Sequence, residues 1–178
     1  SLTATGLVDI QGGILSGDGI VIGNVNNAGT TSPGGSNAAA MLNIAGDYAQ
    51  SVAGILDIEL AGLTSGAEYD VLSVGGTADL SGTLNLSLIN GFNPLVGNSF
   101  DILTADTING AFDVLNLTLG AGYTWSIDYL FDTTGINTVD VVRLTVLTAP
   151  AVPVPAAVWL FGSGLLGLVG IARRRRVH

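Results

Sequence analysis

Short stretches of alternating apolar and polar residues, set apart by glycine-rich turns, run through most of this chain. The clearest is Gly54-Ile55-Leu56-Asp57-Ile58-Glu59-Leu60. A period of two places Leu56, Ile58 and Leu60 on one face of a strand, with Asp57 and Glu59 on the other. The same pattern returns 28 residues later in Gly82-Thr83-Leu84-Asn85-Leu86-Ser87-Leu88, where Leu84, Leu86 and Leu88 face inward. A shorter match at the same offset of 28 aligns Leu80-Ser81-Gly82-Thr83-Leu84 with Ile108-Asn109-Gly110-Ala111-Phe112. A second pair interleaves with the first. Tyr69-Asp70-Val71-Leu72-Ser73-Val74 matches Phe100-Asp101-Ile102-Leu103-Thr104-Ala105 at an offset of 31. The three-residue difference between the offsets predicts a loop that changes length from unit to unit.

The first 50 residues read as still shorter strands. Gly12-Gly13, Asp18-Gly19, Asn26-Asn27 and Pro33-Gly34-Gly35 supply the turns between them. No unit of this size buries its apolar face alone, so the repeat predicts units stacked leucine over leucine. The expected fold is therefore all-β, with a right-handed β-helix or solenoid-like body. An antiparallel β-sandwich is the competing architecture, since it too gives short alternating strands between turns.

Residues 120–148 differ. Tyr123, Trp125, Ile127, Tyr129 and Phe131 share one face of a strand. A turn at Asp132-Thr133-Thr134-Gly135 precedes a second strand over 138–147. This hairpin is expected to cap the open C-terminal end of the stack. The sharper reading of Tyr123, Trp125 and Tyr129 is an aromatic platform for sugar rings. Arg143 is expected to pair with Asp128 or Asp140.

Composition narrows the chemistry. There is no Cys, which excludes a disulfide framework and thiolate metal sites. The single His is His178, so histidine-based catalysis and His-ligated metals are not expected. Enzymatic activity is not expected. A polysaccharide-cleaving enzyme working with carboxylates alone would draw on Asp57 with Glu59 or on Asp70 with Asp101. No cofactor is expected, with calcium at Asp70 and Asp101 as the weaker alternative. The net charge of −9 hides a split. All 14 acidic residues and one arginine, Arg143, precede Pro150, leaving −13 there and +4 in the tail. So acidic a body repels nucleic acid, which is not an expected partner. The opening SLTATG has neither the basic nor the apolar region of a leader, so an exported form would have lost one upstream.

The tail supplies the remaining signal. After a linker over 149–155 come 17 residues without a charge, 156–172, and then Arg173, Arg174, Arg175 and Arg176. A helix of that length spans roughly 25 Å, close to the hydrocarbon thickness of about 30 Å. Trp159 sits where an interfacial anchor belongs, and Ser163 and Gly167 are small residues four apart. The arginines are expected to stay cytoplasmic, with the acidic body outside. The expected division is thus 1–148 as an acidic β-repeat domain, 149–155 as linker and motif, and 156–178 as a transmembrane helix with a basic end.

Val152, Pro153, Val154, Pro155 and Ala156, the apolar run and the arginine block together closely resemble the PEP-CTERM sorting signal of exported Gram-negative proteins. Val154 stands where that signal commonly has Glu. The resemblance implies an exosortase partner, a membrane cysteine transpeptidase-like enzyme that removes the tail. It also implies delivery from the inner membrane to the cell surface or outside, in association with exopolysaccharide and biofilm matrix. The body more loosely resembles the β-helical repeats of autotransporter passenger domains. That likeness runs from Tyr69-Asp70-Val71-Leu72 through Gly82-Thr83-Leu84 and Gly91-Phe92-Asn93-Pro94 to Phe100-Asp101-Ile102-Leu103. The expected role is structural or adhesive, with self-association, and the alternative is a carbohydrate-binding module.

Overall fold

The computed structural model describes residues 2–132 and 139–150. Over these residues the fold is all-β. The chain passes repeatedly through the same strand positions. The first pass is β1 (Leu2–Thr5), β2 (Val8–Ile10) and β3 (Ile14–Gly17). The second is β4 (Gly19–Ile22), β5 (Val25–Asn27) and β6 (Thr30–Pro33). The third is β7 (Met41–Ile44), β8 (Tyr48–Gln50) and β9 (Ile55–Leu60). In the fourth, β10 (Val71–Leu80) continues through two positions and β11 (Thr83–Leu88) follows. In the fifth, β12 (Ser99–Gly110) does the same before β13 (Val114–Thr118). A hairpin of β14 (Thr124–Leu130) and β15 (Asp140–Thr148) completes the described chain.

Every pass pairs with the next in parallel. The result is a ten-stranded sheet and a five-stranded sheet of order β13-β11-β9-β6-β3. An antiparallel sandwich would not give these ladders. Antiparallel pairing among the named strands is confined to the hairpin, where β15 lies between β12 and β14. Among the described residues no helix is long and apolar enough to cross a membrane. The expected transmembrane helix over 156–178 lies outside the described residues.

Both strong sequence offsets appear as strand registers. Leu84 lies beside Leu56 and Leu86 beside Ile58, a shift of 28. Leu72 lies beside Leu103 and Val74 beside Ala105, a shift of 31. All four residues of the first set are fully buried, which stabilises each by about 1.5–3 kcal/mol. The third alignment does not hold. Thr83 pairs with Val114, a shift of 31 rather than 28. The similarity behind it came from two turn glycines. Gly82 (φ +67°) and Gly110 (φ +72°) both sit where successive passes touch, and a Cβ there would lie 2.5 and 2.4 Å from backbone oxygens of the pass below.

Two features of the core run against a simple alternation. Glu59, expected on the solvent face, is only 8 % exposed. Segment 34–40 folds over it, and Ala38 N–H donates to its Oε2 (3.1 Å). Asn27, which reads as a turn residue, and Gln50 are buried on adjacent strands. Asn27 Nδ2 donates to the hydroxyl of buried Tyr48 (2.9 Å), which donates to Gln50 Oε1 (2.7 Å). Gln50 Nε2 then reaches the carbonyls of Ser81 and Thr83. These amides satisfy backbone groups at a corner where the passes change direction.

The hairpin caps one sheet and not the other. It closes the ten-stranded sheet at β12, whereas β13 ends the five-stranded sheet. Leu115 and Leu117 continue the columns of Leu84 and Leu86, yet they are 46 % and 37 % exposed.

Candidate functional site

The aromatic face is built by β14 and the turn before it. Alternation puts Tyr123, Trp125, Ile127 and Tyr129 on one side, where all four are partly buried and packed against the core. Trp125 lies between Phe100 (ring centres 5.9 Å apart) and Tyr123 (6.2 Å). The Tyr129 hydroxyl accepts the Phe112 N–H (3.0 Å), and burial raises its pKa. Phe131 stands apart, 55 % exposed. Of the three proposed ligand residues, Tyr123 borders open space. It lines a groove of about 380 Å³ with Phe92, Asn93, Gly120 and Pro150.

Asp101 and Arg143 are cross-strand neighbours on β12 and β15. The guanidinium binds the carboxylate through both Nε and Nη2, the latter at 2.9 Å. Neither expected partner of Arg143 is the one it binds. Asp128 lies opposite it on β14, and Asp140 is buried, accepting the N–H groups of Ile108 (2.8 Å) and Asp132 (2.7 Å). The pair is about two-fifths exposed, so it contributes no more than about 1 kcal/mol.

Asp70 behaves differently from Asp101, its counterpart in the repeat. It is fully buried just before β10. Its Oδ1 accepts Ala40 N–H and its Oδ2 accepts Glu59 N–H, both at 2.8 Å. Burial pushes its pKa up to about 7; these bonds oppose the shift, and the Glu59 and Asp57 carboxylates add to it. Asp57 is raised too, by burial and by Glu59. Asp70 has no exposed oxygen, so its geometry suits holding segment 34–40 on β9 rather than meeting a substrate. Asp57 and Glu59 are two apart on β9, but Glu59 is engaged with Ala38. Among the described residues no group of three or more His, Asp, Glu or Cys is placed to hold a metal ion. The carboxylates of the calcium candidates Asp70 and Asp101 are each engaged by another group. One fastens backbone and the other binds arginine.

The remaining site residues, Val152 to Ala156, Trp159, Ser163, Gly167 and Arg173 to Arg176, lie outside the described residues. The last described residue, Pro150, packs against Gly122 and reaches the groove beside Thr118 and Leu119. The described chain therefore ends beside the C-terminal end of β13.

Comparison with curated proteins returns no match. The family model of the PEP-CTERM protein-sorting motif matches residues 151–176. The match takes in the proline pair, the uncharged run and all four tail arginines. Such motifs are processed by exosortase and direct export. Directly after its described β-domain, this chain carries a PEP-CTERM protein-sorting motif.

Proposed function

We propose that this chain is a non-enzymatic surface or extracellular-matrix protein of a Gram-negative cell, with a β-helix-type body. In this reading, 156–172 spans the inner membrane until exosortase removes the tail. Arg173, Arg174, Arg175 and Arg176 lie on the cytoplasmic side. The body then acts as a structural or adhesive element linked to exopolysaccharide or biofilm, and associates with its own copies. The motif match over 151–176 carries the proposal. The parallel ladders support the scaffold reading, and the engaged carboxylates of Asp70, Glu59 and Asp101 support the absence of catalysis. Intact-mass measurement of protein recovered from the producing cell tests it. The expected mature chain ends near Pro155, and surface protein that still carries His178 would sink the processing claim.

A second reading, carbohydrate binding, is favoured by Tyr123, which of the three candidate ligand residues is the one lining this groove. Tyr123 and Phe92 present ring surface there, with Asn93 beside them as a polar group. Tyr123→Ala should weaken retention on an acidic or neutral polysaccharide column at least fivefold, while Phe131→Ala should leave it unchanged. Equal retention of both variants and the parent would remove this reading.

A further inference from the structure

We propose that segment 34–40 is a pH-sensitive strap, closed over the carboxylates of Glu59 and Asp70 in acid and lifting off them near neutral pH and above, while both sheets stay folded. The segment joins β6 to β7 and belongs to no strand. Its ends are tied to backbone. Gly34 N–H donates to the Gly17 carbonyl (3.0 Å), and Val71 N–H donates to the Ala40 carbonyl (2.9 Å). Between those ties, two carboxylates hold it to the body. Ala38 N–H donates to Glu59 Oε2 (3.1 Å) and Ala40 N–H to Asp70 Oδ1 (2.8 Å). Ala38, Ala39 and Ala40 are small and none is fully buried, so apolar packing contributes little to closure. Ser36 and Asn37 are exposed at its crest, and Asn37 has left-handed backbone (φ 59°). A segment with so few buried contacts opens at lower free energy than the sheets beneath it.

The strap also borders open space. A groove of about 520 Å³ lies beside it, with Gly17, Asp18, Gly19, Met41 and Gly66 on the other walls. Gly34 keeps the closed form tight. Its φ is +74°, and a Cβ there would lie 1.7 Å from the Ala38 carbonyl oxygen.

The charges around the clasp are mostly acids. From β9, Glu59 and Asp57 both act on Asp70. In the loop before β10, Glu68 is occupied by Leu63 and Thr64, and Tyr69 turns its ring to Phe100. Asp18 faces the groove from the turn between β3 and β4. On β12, Asp101 is matched by Arg143. β7 and the strap carry no ionisable side chain. Among the described residues, neither clasp carboxylate has a cationic partner. Closing the strap thus takes Asp70 out of water beside like charges. Burial outweighs its two N–H donors, so the closed form holds the proton up to about pH 7. An open, hydrated Asp70 releases it in the ordinary range near 3.8. This contribution to closure is complete below that range and is lost as pH rises through 7. Lifting the strap hydrates both carboxylates. The device needs neither the sorting motif nor a saccharide ligand.

Hydrogen exchange on the full chain in lipid nanodiscs tests it, with each rate divided by that of the unstructured amide at the same pH. Protection of the Ala38 and Ala40 amides should fall at least tenfold between pH 5 and pH 8. The Leu86 and Leu103 amides, one in each sheet, should be at least tenfold better protected than those two at pH 8. D70N should show the same Ala40 protection at both pH values. G34A forces the clash with Ala38, so it should unprotect Ala38 and Ala40 at pH 5 and leave Leu86 and Leu103 protected. Three outcomes would overturn the proposal: constant protection from pH 5 to pH 8 in the parent, a fall that persists in D70N, or a strap that opens only together with Leu86 and Leu103.

Discussion

Phe100→Ala should lower the unfolding free energy by about 3–5 kcal/mol, the range for emptying a large buried aromatic site. Phe100 has no exposed surface. Tyr69 meets it edge-on with ring centres 5.2 Å apart, Phe92 does so at 6.2 Å, and Trp125 lies at 5.9 Å. These neighbours come from the loop before β10, the loop before β12 and the hairpin, so one ring joins three otherwise separate segments. Each aromatic contact adds roughly 0.5–1.5 kcal/mol beyond burial, and the backbone is unable to collapse around the vacated space while it is fixed by ladders on both sides of β12. Urea unfolding followed by tryptophan fluorescence measures the effect. Phe131→Ala, at an exposed ring, should change stability by less than about 0.5 kcal/mol. A loss below about 1 kcal/mol for Phe100→Ala would mean that the three segments do not share this core.

The second large effect is a dependence of stability on pH, set by Asp70. Its pKa rises from the ordinary 3.8 to about 7 on folding, because burial penalises the carboxylate. Between those values the folded chain holds the proton and the unfolded chain has released it. Raising pH through this window therefore favours unfolding, by up to about 1.4 kcal/mol per unit. The stabilising protonated state is complete below the ordinary carboxyl range and is gone above pH 7. Asp70→Asn removes the ionisation and should flatten the slope, leaving the smaller contribution of the part-exposed Asp57, which has the same sign. The amide offers one acceptor where Ala40 and Glu59 need two, so the variant should be about 1–3 kcal/mol less stable at pH 5. By pH 8 the gap should close or reverse. Urea midpoints for both proteins at pH 5 and pH 8 decide it, and parallel curves would show that Asp70 does not titrate in this window.

What was legible in the sequence follows the length scale of each interaction. Leu84 over Leu56 and Leu72 beside Leu103 were readable because a stacked column repeats its apolar spacing in the chain itself. The early passes were not readable as repeats. Leu2 pairs with Gly19 at a shift of 17 and Gly19 with Leu42 at 23, so no fixed period exists to detect. Glu59 was misplaced because its cover is a loop some 20 residues away, folded over it by hydrogen bonds that leave no periodic trace. Arg143 was given the wrong carboxylate for a related reason. Its true partner, Asp101, is 42 residues distant and becomes a neighbour only because β15 joins β12. Asn27 carried a turn signal, but it ends β5 and is buried, and with Gln50 it bridges successive passes. The sorting motif needed no fold to be seen, since its parts are read in linear order.

The position of β15 bears on how this domain would respond to mechanical load. It is gripped on both sides, by β12 and by β14, and it ends at Thr148, two residues before the last described residue. Any tension applied through the tail runs along the axis of β15. Two full sets of hydrogen bonds would then resist together in shear, instead of opening one after another as a peeled edge does. The small early passes at the far end would feel such a pull last. A tether attached at the other end would meet no such clamp, because β1 and β3 are edge strands. The domain is thus mechanically polar, and its strong end is the one that bears the sorting segment.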